Sequence, residues 1–343
     1  MSDPNALDQA ALAPYLEAEV PGFSGLLSIE KFKSGQSNPT YLLTARSGRY
    51  VLRAKPPGQL LKSAHQVDRE FRIMKALAGT AVPVPEMLHL SAEASPIGRM
   101  FYVMAVGEGR ILWDPALPEI ASNAERRAIY DAMNATLAAL HDVDPAAVGL
   151  GDFGRPGSYF ARQLGRWTRQ YRATETGALP DMDRLIHWLE AHIPPDDGVV
   201  SLVHGDYRLD NMIFALDRPQ VLAVLDWELS TLGHPYADLA YQCMQWRLPH
   251  ASGFRGLGGI DREAIGLPAE EEYAAAYCRR RGIEGISNWT VFLAFSFFRL
   301  AAICQGVYKR ALDGNASNPD KAKMYGEAVR LLSGLAAELI DKK

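Results

Sequence analysis

The segment His204-Gly205-Asp206-Tyr207-Arg208-Leu209-Asp210-Asn211 constrains this chain more than any other. It lies between two apolar, strand-like runs, Val199 to Val203 and Met212 to Ala215, so it reads as a loop held at both ends. A third run, Val221 to Leu225, delivers Asp226-Trp227-Glu228. Two aspartates and an amide are therefore brought to the ends of neighbouring short strands. Apolar flanks favour a place beside a cleft for Asp206 and Asp226 over a place in solvated surface turns.

The chain around this loop changes character part-way along. A helix is expected over Ala6 to Val20, then strands at Leu26 to Phe32, Thr40 to Ala45 and Tyr50 to Arg53. The turn-rich Ser34 to Pro39 and the Ser47-Gly48 turn join these strands into an antiparallel meander. Ala64 to Ala78 carries Val67, Phe71, Met74 and Leu77 on one helical face, and Val82-Pro83-Val84-Pro85 ends it. Met100 to Val106 is a further strand, and Gly107-Glu108-Gly109 after it reads as a hinge. Helices then dominate, at Ala124 to His141, Tyr159 to Tyr171 and Met182 to His192. The expectation is an α+β chain in two lobes. Residues 1–105 form a small lobe with an antiparallel sheet, and 106–343 form a large, mainly helical lobe.

Phosphoryl transfer from ATP needs a carboxylate beside the acceptor hydroxyl and oxygen ligands that hold Mg²⁺ against the phosphates. Kinases carry the first carboxylate and an amide ligand five positions apart on one loop, and a second carboxylate opens the next segment. Asp206, Asn211 and Asp226 have that spacing. At these residues the chain resembles the aminoglycoside phosphotransferase family, within the protein-kinase-like superfold. More narrowly, it resembles the kinase-like domains found with acyl-CoA dehydrogenases. Val203 to Phe214 and Val224 to Ala240 carry the resemblance, supported by Tyr50 to Gly58, Ser63 to Leu77 and Pro83 to Pro85. It extends from Phe32 to beyond Tyr241.

The resemblance implies a bilobal protein-kinase-like fold, with ATP and Mg²⁺ as cofactors. It implies Asp206 as catalytic base, Asn211 and Asp226 as metal ligands, and His204 as a brace for the loop. Asp238, in Pro235-Tyr236-Ala237-Asp238-Leu239-Ala240, is expected to hold catalytic-loop amides from the start of a helix. Arg208 reads equally as a contact to phosphate or acceptor and as a surface arginine.

Catalysis of this kind is positioning and charge neutralisation, so the small lobe must supply a cation. Tyr50-Val51-Leu52-Arg53 aligns with the kinase strand that carries a lysine; arginine departs from that pattern. Motif register favours Arg53, with Lys55, two residues on, as the alternative. Glu70 on the next helix is the expected ion-pair partner. Ser34, Gly35, Ser37 and Asn38 are expected to cover the phosphates, although a plain hairpin turn explains that loop equally well. Met104, Ala105 and Gly107 are expected against the adenine. The chain contains no Gly-x-x-x-x-Gly-Lys-Ser/Thr. After Asp226 it runs at once into Ser230-Thr231-Leu232-Gly233-His234-Pro235, without an Ala-Pro-Glu. That leaves no room for a long activation loop, and a small-molecule hydroxyl is the expected acceptor.

Composition narrows the partners. A formal charge of -4 argues against a surface built for nucleic acid. Cys243, Cys278 and Cys304 form no Cys-x-x-Cys pair, which reads as reduced thiols in the cytoplasm. Met1 to Ala10 lacks the apolar core of a signal peptide. Val291 to Cys304, interrupted by Arg299, reads as a buried helix too short to span a bilayer. The acceptor is expected between Asp206 and the helical segments Tyr236 to Arg247 and Asn288 to Tyr308. Polycationic aminoglycosides need an acidic pocket, and Glu270-Glu271-Glu272 is more simply a solvated helix face. Trp246, Arg247, His250, Arg255, Trp289, Phe297, Phe298 and Arg299 suit an apolar or anionic acceptor. The narrower resemblance points the same way, toward a hydroxyacyl group such as one carried on coenzyme A. An aminoglycoside kinase and a non-catalytic nucleotide-binding module are the competing readings. The intact Asp206, Asn211, Asp226 set speaks against the module.

Overall fold

The structure is a computed structural model that describes residues 6–32, 38–58, 65–92, 95–314 and 322–342. Its N-terminal part is a five-stranded sheet. β1 (Leu26–Lys31), β2 (Thr40–Ala45), β3 (Gly48–Ala54), β4 (Met87–Leu90) and β5 (Phe101–Ala105) run antiparallel in the order β1-β2-β3-β5-β4. The first three strands are the expected meander. β4 continues the extended segment that Val82-Pro83-Val84-Pro85 starts, and it lies at the sheet edge, where a neighbouring proline is tolerated.

Alternation along the strands sorts the two faces. Leu52 and Ala54 of β3, with Phe101 and Val103 of β5, join Leu12 and Leu16 of α1 (Gln9–Glu19) in one apolar cluster. Arg53 and Tyr102 occupy the opposite face, under α2 (Val67–Leu77), whose Glu70 they both meet. Ile73, Met74 and Leu77 of α2 belong to the larger cluster that continues into the helical part. α2 is also tied there by a polar contact. Arg69 donates to the Phe153 carbonyl at 2.6 Å, and its guanidinium stacks 4.0 Å from the Phe153 ring centre.

The remainder is helical around two short strand pairs. α3 (Asn123–Asp142), α4 (Tyr159–Ala173) and α5 (Pro180–His192) lead to β6 (Ser201–Val203). β7 (Met212–Phe214) and β8 (Val221–Val224) form a hairpin, and β9 (Thr231–Gly233) pairs with β6. α6 (Tyr236–Cys243), α7 (Glu270–Arg281), α8 (Trp289–Leu312) and α9 (Ala322–Asp341) complete the chain. β9 was not expected; three residues are too few to show a period. α8 extends the expected Val291 to Cys304 run to 24 residues, long and apolar enough to cross a membrane by composition. It lies inside the protein, with 78% of its apolar window buried, as a core helix does.

The hinge expected at Gly107 to Gly109 is where β5 hands over to β7. Arg110 and Phe214 exchange backbone hydrogen bonds of 2.8 Å in both directions. A Cβ on Gly109 would lie 2.3 Å from the Phe214 carbonyl oxygen, so only glycine permits this approach.

Candidate active site

β6 and β7 fix the two ends of the loop 204–211, and almost every residue between them is anchored. His204 is fully buried; its Nε2 bonds the Leu225 carbonyl at 2.8 Å, and its Nδ1 lies 3.2 Å from the Asp206 amide. The pattern assigns the tautomer: Nε2–H donates and Nδ1 accepts. Gly205 has φ +85°, and a Cβ there would sit 2.6 Å from the Leu229 carbonyl oxygen. Glycine is required for this turn. Tyr207 is buried and donates to the Met133 carbonyl at 2.7 Å.

Asp238, at the start of α6, accepts from the backbone N–H groups of His204 (2.6 Å) and Gly205 (2.8 Å). His141 Nε2 lies 3.4 Å from the same carboxylate, and His141 Nδ1 meets the Tyr277 hydroxyl at 2.7 Å. Burial alone would raise the Asp238 carboxyl; hydrogen bonds from His141 and Gly205 outweigh it and hold the group below its usual range. Burial pushes His141 down, against Asp238, so the imidazole is neutral and donates as a hydrogen-bonding group. The expected role of Asp238 at the loop amides thus has a geometric basis.

Asn211 Nδ2 donates to Asp206 twice, to the carbonyl (2.9 Å) and to carboxylate Oδ2 (3.0 Å). This spends the amide N–H groups on the neighbouring aspartate and leaves the Asn211 oxygen for a cation. The Leu225 amide donates to the Asn211 carbonyl at 2.8 Å, which brings the next carboxylate alongside. Asp226 is left-handed, with φ 61° and ψ 57°. Such a conformation is uncommon outside glycine and marks a residue over-determined by its surroundings. Trp227 supplies that anchorage, buried and bonded through Nε1 to the Val224 carbonyl at 2.9 Å.

Across the cleft, Arg53 meets Glu70 at 2.9 Å, Asp226 at 2.7 Å and Glu228 at 3.7 Å. Burial works against its charge, but Glu70 first, then Tyr102, Asp226 and Glu228, hold its pKa above the ordinary value. Burial pushes the Glu70 carboxyl up, against Arg53 and against donors from the Tyr102 hydroxyl (3.1 Å) and the Asn38 amide (2.7 Å). Lys55 falls just past the end of β3, its amide bonded to the Met100 carbonyl at 3.0 Å. The structure brings Arg53 to the carboxylates.

Asp206, His204, Asn211, Asp226, Arg53 and Glu70 form one contiguous constellation. Met104 and Ala105 end β5, Gly107 follows them, and the Ala105 amide bonds the Glu86 carbonyl at 2.9 Å. Ser34, Gly35 and Ser37 lie outside the described residues. Asn38 differs from expectation: it is 1% exposed, its amide on Glu70 and its oxygen 3.0 Å from His65 Nδ1. Its amide is committed to holding α2, which leaves it buried behind the cleft instead of over a phosphate. Arg208 pairs with Asp210. Glu270 corrects the reading of the acidic run as a solvated face. It is buried, its carboxylate 3.0 Å from Arg247 and 2.9 Å from the Trp289 indole nitrogen. Trp246, Phe297 and Phe298 are core residues. Sequence reasoning missed Tyr241, buried on α6, where burial first and the nearby Asp206 charge second raise its pKa. Its position three residues after Asp238 on one helix, hence on the same face, was the available signal.

The donor set fits Mg²⁺. An amide oxygen and a carboxylate are hard ligands, and this ion keeps waters and takes substrate phosphates besides one or two carboxylates. Among the described residues no group of three His, Cys, Asp or Glu forms a metal cluster.

Fold and site together define a kinase-like phosphotransferase domain. The chain belongs to the phosphotransferase enzyme family (APH), which is matched over residues 28–286. It is 48% identical over 340 residues to acyl-CoA dehydrogenase family member 10 of Mus musculus, covering 98% of this chain and 32% of that protein. Family member 11 of Rattus norvegicus is 45% identical over 318 residues, 91% of this chain and 41% of that one. The chain thus spans less than half the length of these curated relatives. Among solved structures, a protein of Ralstonia eutropha described as a candidate aminoglycoside phosphotransferase is 49% identical. It superposes with TM-score 0.88 over 98% of this chain and 99% of its own. The aminoglycoside phosphotransferase APH(4)-Ia, solved with AMP-PNP and hygromycin B, shares the fold at 15% identity. Its TM-score is 0.63 over 95% of this chain and 99% of its own.

Proposed function

We propose that this chain transfers the γ-phosphoryl group of Mg-ATP to a hydroxyl of a small molecule, a hydroxyacyl compound, with Asp206 as general base. The observation that carries the proposal is the meeting of Asp206, Asn211, Asp226 and the Arg53–Glu70 pair in one cleft.

Asp206 is oriented by Asn211 so that its carboxylate receives the acceptor's O–H. As that oxygen forms a bond to the γ-phosphorus, its proton passes to Asp206, and the bond to the β–γ bridging oxygen of ADP breaks. Asn211 oxygen and the Asp226 carboxylate would hold Mg²⁺, which neutralises phosphate charge when bound. Arg53, fixed by Glu70, places a permanent cation where that charge develops. Nucleotide use is supported by the AMP-PNP in the APH(4)-Ia structure.

Two observations support a hydroxyacyl acceptor. Two relatives matched along nearly the whole chain are named for acyl-CoA dehydrogenation, so an acyl thioester is chemistry their names have in common. The polycation reading loses its best acidic candidate, because Glu270 is buried against Arg247 and Trp289. We place the enzyme in the cytoplasm, acting on a soluble substrate without nucleic acid or membrane, on the strength of three buried free thiols and the negative net charge.

The test is a mass-spectrometric phosphotransfer screen with Mg-ATP, using the parent and Asp206→Ala. The panel holds aminoglycosides, choline-like alcohols, and free and CoA-linked hydroxy acids. Asp206-dependent phosphorylation of a hydroxyacyl compound is expected. Transfer to an aminoglycoside alone would move the assignment to the antibiotic-kinase reading. ATP binding with transfer to nothing would favour a non-catalytic module.

A further inference from the structure

Arg299 lies inside α8, on the apolar run that its sequence position interrupts, and is 6% exposed. The sequence placed it among the acceptor-pocket candidates. The structure gives it other work. Its Nη2 donates to the Gly205 carbonyl at 2.7 Å, and its guanidinium lies 5.7 Å from the ring centre of Tyr241 and 5.9 Å from that of Trp167. Burying a guanidinium in an apolar helix costs stability that a methionine of similar length would not. The return on that cost lies at the catalytic loop.

The Gly205 carbonyl belongs to the peptide whose nitrogen is that of Asp206. That nitrogen donates to His204 Nδ1 at 3.2 Å. The peptide plane leading into Asp206 is thus held at its oxygen by α8 and at its nitrogen by His204. The Asp206 side chain is held in turn by Asn211. Tyr241 of α6 packs its ring on the Arg299 guanidinium through the cation–π contact and so steadies the donor.

We infer that Arg299 is a positioning residue for Asp206 and that Tyr241 acts through it, a brace that ties the orientation of the base to the core helix α8. The inference rests on the phosphotransfer reading and names the parts that aim its base. Neither residue is assigned a contact with substrate, so the brace acts on turnover and leaves nucleotide binding alone.

The experiment measures ADP release from Mg-ATP, with 3-hydroxybutyryl-CoA as acceptor and with water alone, together with the Kd of Mg-AMP-PNP. Arg299→Met keeps the volume and removes the donor. It should lower kcat by roughly 10-fold or more, within the range that about 1 Å of misplacement costs, with KM for ATP and the nucleotide Kd unchanged. Arg299→Lys restores a donor to Gly205 and should recover most of the loss. Tyr241→Leu removes the ring that packs on the guanidinium and should lower kcat by roughly 3- to 10-fold, again without a change in Kd. Parental kcat in Arg299→Met overturns the brace. So does a lysine variant no better than methionine, because a purely structural residue would behave that way. If Arg299→Met does not fold, Arg299→Lys and Tyr241→Leu decide, and parental kcat in Tyr241→Leu overturns the proposal. Asp206→Ala with undiminished ADP release would instead overturn the phosphotransfer reading beneath it.

Discussion

Asn38 and Glu70, 32 positions apart in the chain, meet in a buried hydrogen bond of 2.7 Å, the amide donating to the carboxylate. Glu70 also receives the Tyr102 hydroxyl and pairs with the Arg53 guanidinium, so two donors and a cation surround a carboxylate that is 1% exposed. Removing one leaves part of a buried charge unsatisfied, which costs about 1–3 kcal/mol. Asn38→Ala should lose that much in urea unfolding. Asn38→Asp keeps the shape but sets a second carboxylate against Glu70, and should lose more than the alanine variant. The reverse order would show that Asn38 fills space and does not hold the charge.

Arg53 is the hub of the same network, its side chain 13% exposed between Glu70, Asp226 and Glu228. Arg53→Met strands the Glu70 carboxylate in the interior, and breaking a buried pair from one side costs about 3–5 kcal/mol. Adding Glu70→Gln removes the stranded charge, so the double variant should be more stable than Arg53→Met alone. Calorimetric melting of the four members of the cycle reads the coupling directly. Additive losses would mean that the two side chains do not share an ion pair.

Much of this site was legible before the fold was known, for a physical reason. The loop 204–211 and Asp226 are local: short apolar strands hold them, and spacing alone sets which groups converge. The Arg53–Glu70 pair was readable because a strand and the helix after it fix the register of both. What stayed hidden is non-local. His141 reaches Asp238 across 97 positions and Arg299 reaches Gly205 across 94, and no period in the chain records such contacts. Glu270 shows the opposite error. A run of three glutamates reads as solvated, yet the first of them turns inward because Arg247 and Trp289 are there to pair with it. β9 was missed because its three residues show no period of their own, whereas β6 and β7 are equally short but lie within longer apolar runs.

Asp226 should separate metal binding from nucleotide binding. It sits at the mouth of the cleft, 35% exposed, while Met104 and Ala105, the residues expected against the adenine, belong to β5. Asp226→Ala should leave AMP-PNP affinity without divalent cation close to that of the parent, since no adenine contact changes. It should abolish most of the gain that millimolar Mg²⁺ gives the parent. Isothermal titration with and without Mg²⁺ measures both. A variant that keeps the full gain would remove Asp226 from the ligand set.

The histidines set the acid limit of stability. Burial pushes both His141 and His234 below their ordinary value of 6.5. Between that value and the lowered folded one, the unfolded chain holds a proton that the folded chain refuses, so stability falls as pH falls below about 6.5. Asp238 does not contribute in this window. Its folded pKa lies below the ordinary 3.8, so its stabilisation is complete above that value and is lost only as pH falls through the folded one. Melting temperature should therefore be flat between about pH 7 and 8 and decline from about 6.5 toward 5. His141→Gln keeps a donor for Asp238 and cannot take up the proton. It should melt lower at pH 8, because glutamine cannot also satisfy the Tyr277 hydroxyl, yet decline less steeply below pH 6.5. A slope equal to that of the parent would clear His141 and leave the acid sensitivity to His234, whose Nε2 lies 3.2 Å from Asp197 beside the start of α6, and to His89, which burial also lowers.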